Sequence, residues 1–218
     1  YITDVACYWI KECDIDGWRL DVGDEISHFF WKNFRKAVKA VKKDMLIIGE
    51  IWHYAGDFLE GDEWDTVMNY PFYLNLIDLL ADEKITVSQF VQNLGYLKGR
   101  LHKNCYPLMW NLIDSHDTAR FLHLCNDNKK KQHLAAAFQL LLPGMPMIYY
   151  GDEYAMPGAN DPDCRRGMYW DEEYQDKEMY EWYKRLIQVR KSHACIVEGE
   201  LAGSVTEDEE GTVVLIRK

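Results

Sequence analysis

The chain has 218 residues, of which 48% are hydrophobic and 14% aromatic, so it carries enough apolar surface for a sizeable core. Its net charge of −11 argues against a nucleic-acid partner, because the phosphates would be repelled. No apolar stretch reaches membrane-spanning length, which argues against a membrane partner. Six scattered cysteines without a CxxC pair favour reduced thiols, and with them a cytoplasmic location, over a disulfide framework. Because the chain begins with Tyr and has no signal-like start, we interpret it as a piece of a longer protein.

Apolar periodicity predicts strands that alternate with helices. Residues 2–11 are predicted to end a helix, a strand follows at 18–22, and residues 24–43 form an amphipathic helix whose apolar stripe includes Phe29, Phe30 and Phe34. Further strands are predicted at 45–51, 65–69, 106–114 and 145–150, and helices at 70–80, 87–102, 118–124, 129–142 and 176–191. After residue 195 the pattern changes to two strands, 197–201 and 212–216, around an acidic turn. We interpret this last part as the beginning of a small all-β domain.

Three of the predicted strands deliver an acid at or just after their carboxyl ends. Asp21 ends the first strand, Glu50 lies near the end of the second, and His116 and Asp117 follow the strand at 106–114. A parallel barrel presents its catalytic groups in this way, at the C-terminal ends of its strands. We therefore predict an α/β fold of the TIM (β/α)8 type.

The neighbours of two of these acids suggest different chemical roles. Arg19 and Asp21 project from the same side of an interior strand, and the guanidinium would keep the carboxylate charged, as a nucleophile requires. A structural salt bridge at a strand end is the alternative. Glu50 lies between Ile47-Ile48-Gly49 and Ile51-Trp52, an apolar setting that favours the protonated form needed by a general acid.

Four runs of the sequence carry a family resemblance. The runs at 16–22, 49–52 and 114–118 resemble, in order, three short conserved regions of the α-amylase family, glycoside hydrolase family 13, and the run at 144–153 is similar to its eighth strand and following loop. Within the family, the runs at 68–72 and 161–166 resemble the branch of cyclomaltodextrinase, neopullulanase and maltogenic amylase. The resemblance implies that residues 1–194 are the later part of the barrel, about strands four to eight, and that residues 195–218 begin a β-sandwich domain. The front of the barrel and the family's first conserved region are absent, which puts the activity of the isolated piece in question.

The resemblance also implies an activity and a set of site residues. It points to a retaining α-glucan hydrolase that cleaves α-1,4, and in some members α-1,6, glucosidic bonds of cyclodextrins, pullulan, starch or maltooligosaccharides. Its catalytic residues would be the nucleophile Asp21, the acid/base Glu50 and the hydroxyl-binding Asp117. Its substrate-binding residues would be Arg19, His116, Trp52, Tyr70, Asp161 and Arg165. Core packing is the alternative for His116 and for the two aromatic rings, and a surface ion pair is the alternative for Asp161 with Arg165.

Two other functions are compatible with these motifs. One is a transglycosylase or isomerase of the same fold acting on glucans, sucrose or trehalose, against which the run at 161–166 argues. The other is a non-catalytic amylase-like scaffold, which would be expected to have lost the acids. The chemistry needs no cofactor, and no metal-ligand spacing is evident; the resemblance implies structural calcium in parts of the family, with ligands largely outside this stretch. It also suggests a homodimer built through an N-terminal β domain that this chain lacks.

Overall fold

A computed structural model describes all residues from 1 to 218. The helices are α1 (Ile2–Cys13), α2 (His28–Val41), α3 (Tyr70–Leu76), α4 (Val87–Arg100), α5 (Phe121–Leu124), α6 (Lys129–Leu141), α7 (Lys177–Ser192) and α8 (Ala194–Val197). The strands are β1 (Gly17–Leu20), β2 (Leu46–Gly49), β3 (Thr66–Val67), β4 (Trp110–Leu112), β5 (Met145–Met147), β6 (Leu201–Glu207) and β7 (Thr212–Arg217). The chain divides into two compact units: the first unit is residues 1–70 with 98–110, and the second unit is residues 71–97 with 111–218. None of the helices combines the length and apolar character needed to span a membrane.

The first unit contains a parallel sheet in the order β1-β2-β3. Leu20 pairs with Gly49, and Gly49 with Val67, so the carboxyl ends of all three strands lie at one edge. A further parallel bridge joins Met68 to Trp110. This edge is where the sequence places Asp21 and Glu50.

Helix α2 begins four residues later than predicted, and the shift changes which of its side chains are buried. Residues Gly23–Glu25 form a separate 3-10 turn, and the Ser27 hydroxyl then caps the helix by accepting from the Phe30 amide. Phe34 is buried as predicted, together with Trp31, but Phe29 is 79% exposed. Phe29 lies two residues before Trp31, about 200° round the helix, so it faces away from the buried side.

The second unit is built around two groups of buried apolar side chains. The larger group draws on α3, α4, α5 and α6 and includes Phe72, Leu76, Phe90, Phe121 and Phe138. The smaller group places α7 against α5 and α6 and includes Leu122, Ala136, Leu140, Met179, Tyr183 and Leu186. β4 and β5 pair as a two-stranded sheet. The strand predicted at 106–114 is shortened to β4, because Tyr106–Leu108 forms a 3-10 turn at Pro107, which has no amide hydrogen for a ladder.

The C-terminal segment forms an antiparallel hairpin of β6 and β7. The strand predicted at 197–201 is wrong for most of its length, because Ala194–Val197 is a helical turn and the strand begins at Leu201. Ser88 on α4 makes two hydrogen bonds to the hairpin. Its hydroxyl lies 2.7 Å from the Thr206 hydroxyl, and its amide donates to the Asp208 carboxylate at 2.9 Å. The hairpin therefore belongs to the second unit, while the domain boundary at 194/195 stays a prediction.

Candidate active site

Glu50 follows β2 and lies buried at the carboxyl edge of the parallel sheet. A side chain at Gly49 would collide with the Trp64 ring, and one at Gly23 would lie 2.6 Å from the same ring. These two glycines let the ends of β1 and β2 close over the indole. Two hydrogen bonds fix the backbone of Glu50. The Glu50 amide donates to the Leu20 carbonyl at 2.9 Å, and the Glu50 carbonyl accepts from the Gly23 amide at 3.2 Å.

The carboxylate of Glu50 is surrounded by donors rather than by apolar groups. Its Oε2 accepts from the Val22 amide at 2.9 Å and lies 2.9 Å from Arg19 Nη2. Its Oε1 accepts from Trp52 Nε1 at 3.4 Å. The apolar surroundings inferred from the sequence are therefore wrong, because Ile47, Ile48 and Ile51 pack elsewhere while the carboxylate faces polar groups.

Asp21 lies just beyond the end of β1 and is largely exposed, with 75% of its side chain accessible. The expectation of an interior aspartate is wrong, because the strand ends at Leu20 and the chain turns. Val22 adopts a left-handed conformation, with φ of 45°, and is exposed, so it does not share the buried side of Leu20. The carboxylate of Asp21 contacts Arg19 Nη1, as the i and i+2 spacing predicted.

One guanidinium therefore touches both acids in this unit. Arg19 reaches Asp21 through Nη1 and Glu50 through Nη2. The sequence connected Arg19 with Asp21 alone, because the second contact depends on the parallel register in which Arg19 pairs with Ile48. The two acids follow adjacent strands at one sheet edge, and both contact the same guanidinium.

Trp52 and Tyr70 stack on each other in the first unit, with ring centroids 4.1 Å apart and planes 11° from parallel. Trp52 is 43% exposed, whereas Tyr70 is completely buried. The expectation that both rings offer a surface to sugars is therefore corrected for Tyr70: its ring supports Trp52 from behind, and Trp52 keeps an accessible surface.

The second unit brings together the remaining predicted site residues. His116 Nε2 lies 3.0 Å from Asp117 Oδ2, and Arg165 Nη2 donates to Asp117 Oδ1 at 3.2 Å. Arg165 Nε lies 2.6 Å from Asp161 Oδ1. Arg165 thus joins two carboxylates that the sequence placed in separate segments. All four side chains are at least partly accessible.

Sequence reasoning missed one group of charged residues. Asp114, Arg120 and Asp152 are almost completely buried in the second unit, and Arg120 Nη1 lies 3.0 Å from Asp152 Oδ1. Asp114 and Asp152 each lie at or just after the end of a predicted strand, which makes them candidate site residues. Nothing in the local sequence connects either of them with Arg120. No three His, Cys, Asp or Glu side chains are grouped so that they could hold a metal ion, and we assign no calcium ligand to this chain.

Residues 1–175 match the family model of the α-amylase catalytic domain. The chain belongs to the α-amylase family. It is 47% identical over 214 residues to a cyclomaltodextrinase of Geobacillus thermopakistaniensis, covering 98% of this chain and 36% of that protein. It is 43% identical over 218 residues to an intracellular maltogenic amylase of Bacillus subtilis, covering 100% of this chain and 37% of the relative. It is 42% identical over 217 residues to neopullulanase 2 of Thermoactinomyces vulgaris, with the same coverages of 100% and 37%.

The structure of this α-amylase family member is also similar to solved ones. It matches a cyclomaltodextrinase with a TM-score of 0.96 and 40% identity, over 100% of this chain and 37% of that one. A cyclic α-maltosyl-(1→6)-maltose hydrolase from Arthrobacter globiformis matches with a TM-score of 0.94 and 34% identity, over 99% of this chain and 49% of that one. The predicted family, its branch and its fold class, the later strands of a (β/α)8 barrel followed by a β segment, are confirmed. The chain spans about 37% of the length of the curated relatives it matches.

Proposed function

We propose that this chain supplies the nucleophile and the acid/base of a retaining α-glucan hydrolase. The observation that carries the proposal is the shared guanidinium of Arg19, which touches Asp21 through one nitrogen and Glu50 through the other. Retaining glycosidases need two carboxyl groups about 5–5.5 Å apart. Two acids on neighbouring parallel strands that flank one guanidinium are compatible with that spacing. The names of the relatives, cyclomaltodextrinase, maltogenic amylase and neopullulanase, support hydrolysis of glucosidic bonds.

The different exposures of the two acids support different roles. The accessible Asp21 carboxylate attacks the anomeric carbon, while the proton of Glu50 goes to the leaving glycosidic oxygen as the carbon–oxygen bond breaks. In the second step, Glu50 takes a proton from water, and the resulting attack releases Asp21 from the sugar. Arg19 holds both side chains in place through the two steps. The Val22 amide and the Trp52 indole add further donors that orient Glu50.

The second unit supplies groups for binding the sugar. Carboxylates and guanidinium groups bind neighbouring hydroxyls through paired hydrogen bonds. We assign this role to Asp117, His116, Asp161 and Arg165, whose mutual contacts hold them in one group. In the first unit, the exposed face of Trp52 supplies a stacking surface for a sugar ring.

The same relatives support a proposed substrate and location. We propose an α-1,4-glucan as substrate, with cyclodextrin and pullulan as the first compounds to test, given the names cyclomaltodextrinase and neopullulanase. A homodimeric parent and structural calcium elsewhere in it stay proposals from the family resemblance. A cytoplasmic location has support from the relative named as intracellular.

The test is release of reducing sugar from β-cyclodextrin, pullulan and starch, compared with a Glu50→Gln variant. Because the chain spans about 37% of the length of its relatives, it is assayed alone and in a chimera. In the chimera, it replaces the matching segment of the 47%-identical cyclomaltodextrinase. Loss of the general acid is expected to lower turnover about 10²–10⁴-fold, whereas Glu173→Gln, at an exposed position, leaves it unchanged. Product NMR is expected to show the α-anomer first. Equal turnover in both variants contradicts the acid role, and a β-anomer contradicts retention.

A further inference from the structure

Three charged side chains in the second unit have no place in the proposed chemistry although they are almost fully buried. These are Asp114, Arg120 and Asp152, which we call the Arg120 cluster; none is more than 1% exposed. Burying charges carries a large desolvation cost, so such groups persist where they are paired and hydrogen-bonded. The contacts of Arg120 show what this group connects.

Arg120 ties together two parts of the loop that follows β5. Its Nη1 donates to the Tyr150 carbonyl at 2.6 Å and its Nε to the Cys164 carbonyl at 3.2 Å. Its own amide donates to the Gly158 carbonyl at 2.9 Å. The guanidinium also lies over the Tyr149 ring, 4.2 Å from the centroid. One side chain therefore fixes the backbone on both sides of the loop segment that contains Asp161.

The same contacts reach the residues proposed to bind sugar. Cys164, whose carbonyl accepts from Arg120, also donates its thiol to the His116 carbonyl at 3.3 Å. Its neighbour Arg165 bonds Asp117. Because Arg165 and Asp117 are partly exposed, their mutual attraction is weak by itself. Their geometry therefore depends on the backbone beneath them.

The two aspartates of the cluster make different contacts. Asp152 Oδ1 lies 3.0 Å from Arg120 Nη1, whereas Asp114 Oδ1 accepts from the Phe121 amide at 2.5 Å. Burial, followed by the charge of Asp152, raises the pKa of Asp114 well above its usual range. Burial raises the pKa of Asp152 to about 6, against the lowering effects of the bond from Asp114 and the charge of Arg120. The charge of Asp152 pairs with Arg120.

We propose that Arg120 is a positioning residue for glucan binding, which fixes the two segments carrying Asp117 and Arg165 while Asp152 pairs with its guanidinium. The inference rests on the proposed function, since it assumes that Asp117 and Arg165 bind sugar. It goes further by naming the buried group on which that binding depends. Glu153, Tyr183 and Cys125 are further titratable groups that interact electrostatically with the two aspartates, and all three remain unchanged in the variants below.

The first test compares Arg120→Lys with Arg166→Lys, the same substitution on a partly exposed arginine in the loop that follows β5. Two readouts are used: amide hydrogen exchange of residues 158–166, and the Kd of the chain for maltoheptaose. A lysine cannot reproduce the planar fork that serves a carboxylate and two carbonyls. We expect exchange to become about tenfold faster and Kd to rise about tenfold in Arg120→Lys, with both unchanged in Arg166→Lys. Equal behaviour of the two variants overturns the proposal.

The second test examines the carboxylate that pairs with Arg120 and does not depend on Arg120→Lys folding. Asp114→Asn leaves the pair of Arg120 with Asp152 in place, so loop exchange is expected to stay within about twofold of the wild type. Asp152→Asn leaves the guanidinium without its anion and is expected to accelerate exchange about tenfold or more. Equal acceleration in the two variants overturns the proposal that the pair of Arg120 with Asp152 fixes the loop.

The third test uses pH. An acid with a raised pKa in the folded state keeps its proton while the unfolded chain releases it, so stability falls as pH rises from about 4 through the folded pKa. Asp114→Asn removes one such acid. The Tm of this variant should equal that of the wild type at pH 4 and exceed it at pH 8. A difference in Tm that does not change with pH contradicts the raised pKa of Asp114 and, with it, the buried setting of the Arg120 cluster. Wild-type chain that does not bind maltoheptaose counts against the proposed function, whereas loop exchange decides separately on the Arg120 cluster.

Discussion

The shared guanidinium of Arg19 can be tested by asking which acid depends on it more. In Arg19→Met, the buried Glu50, with 5% of its side chain exposed, loses its cation. Removing one partner of a buried pair costs about 3–5 kcal/mol; because the Val22 amide still bonds Glu50, we expect about 2–4 kcal/mol. Adding Glu50→Gln to this variant removes the carboxyl group that Arg19 contacts, so the double-mutant cycle should give a coupling energy of about 2 kcal/mol.

The matched cycle uses Asp21→Asn with the same Arg19→Met change. Since 75% of the Asp21 side chain is exposed, water already stabilises its charge, and a coupling of about 0.2–1 kcal/mol is expected. Both cycles are measured by urea unfolding at neutral pH, with equal m-values as the condition for comparing them. A coupling of Arg19 with Asp21 that equals or exceeds the coupling with Glu50 would refute the reasoning.

Two further predictions need no substrate. Gly49→Ala places a methyl group against the Trp64 ring and should lower the free energy of unfolding by about 1–3 kcal/mol in urea titrations; a change below about 0.5 kcal/mol would contradict the close approach. A thiol-reactive dye at pH 8 should label the exposed Cys13 and Cys195 fastest, and should label Cys125 only after denaturation, because burial raises the pKa of that thiol to about 11; rapid labelling of Cys125 in the native chain would contradict its burial.

The order of helices and strands could be predicted from the sequence, but the lengths of the strands could not. Apolar runs such as 45–51 continue beyond the paired residues, since Met45 and Ile51 are buried without belonging to β2. Periodicity reports burial, whereas a strand's bounds depend on where its neighbours offer ladder partners. Helix α2 shows the same limit, because the Ser27 cap rather than the polar run before it sets the start.

The site could be predicted where its contacts are local. Arg19 and Asp21 meet because alternate residues of a strand share a side. The contact of Arg19 with Glu50 depends on strand register, and the contacts of Arg120 with Asp152 and Cys164 depend on how a long loop folds back. Neither kind of contact leaves a periodic trace in the sequence.

The C-terminal hairpin has a consequence for exchanging modules between related amylases. Val213 and Leu215 pack against the larger apolar group of the second unit, where Phe138 on α6 is a member, and Arg217 donates to the Leu141 carbonyl at 2.8 Å. A graft that joins foreign sequence at residue 195 would divide this apolar group and leave one half mismatched. Chimeras should therefore take α6 and the hairpin from the same parent. In a library of recombination points, we expect well-folded chimeras mainly where both segments come from one parent.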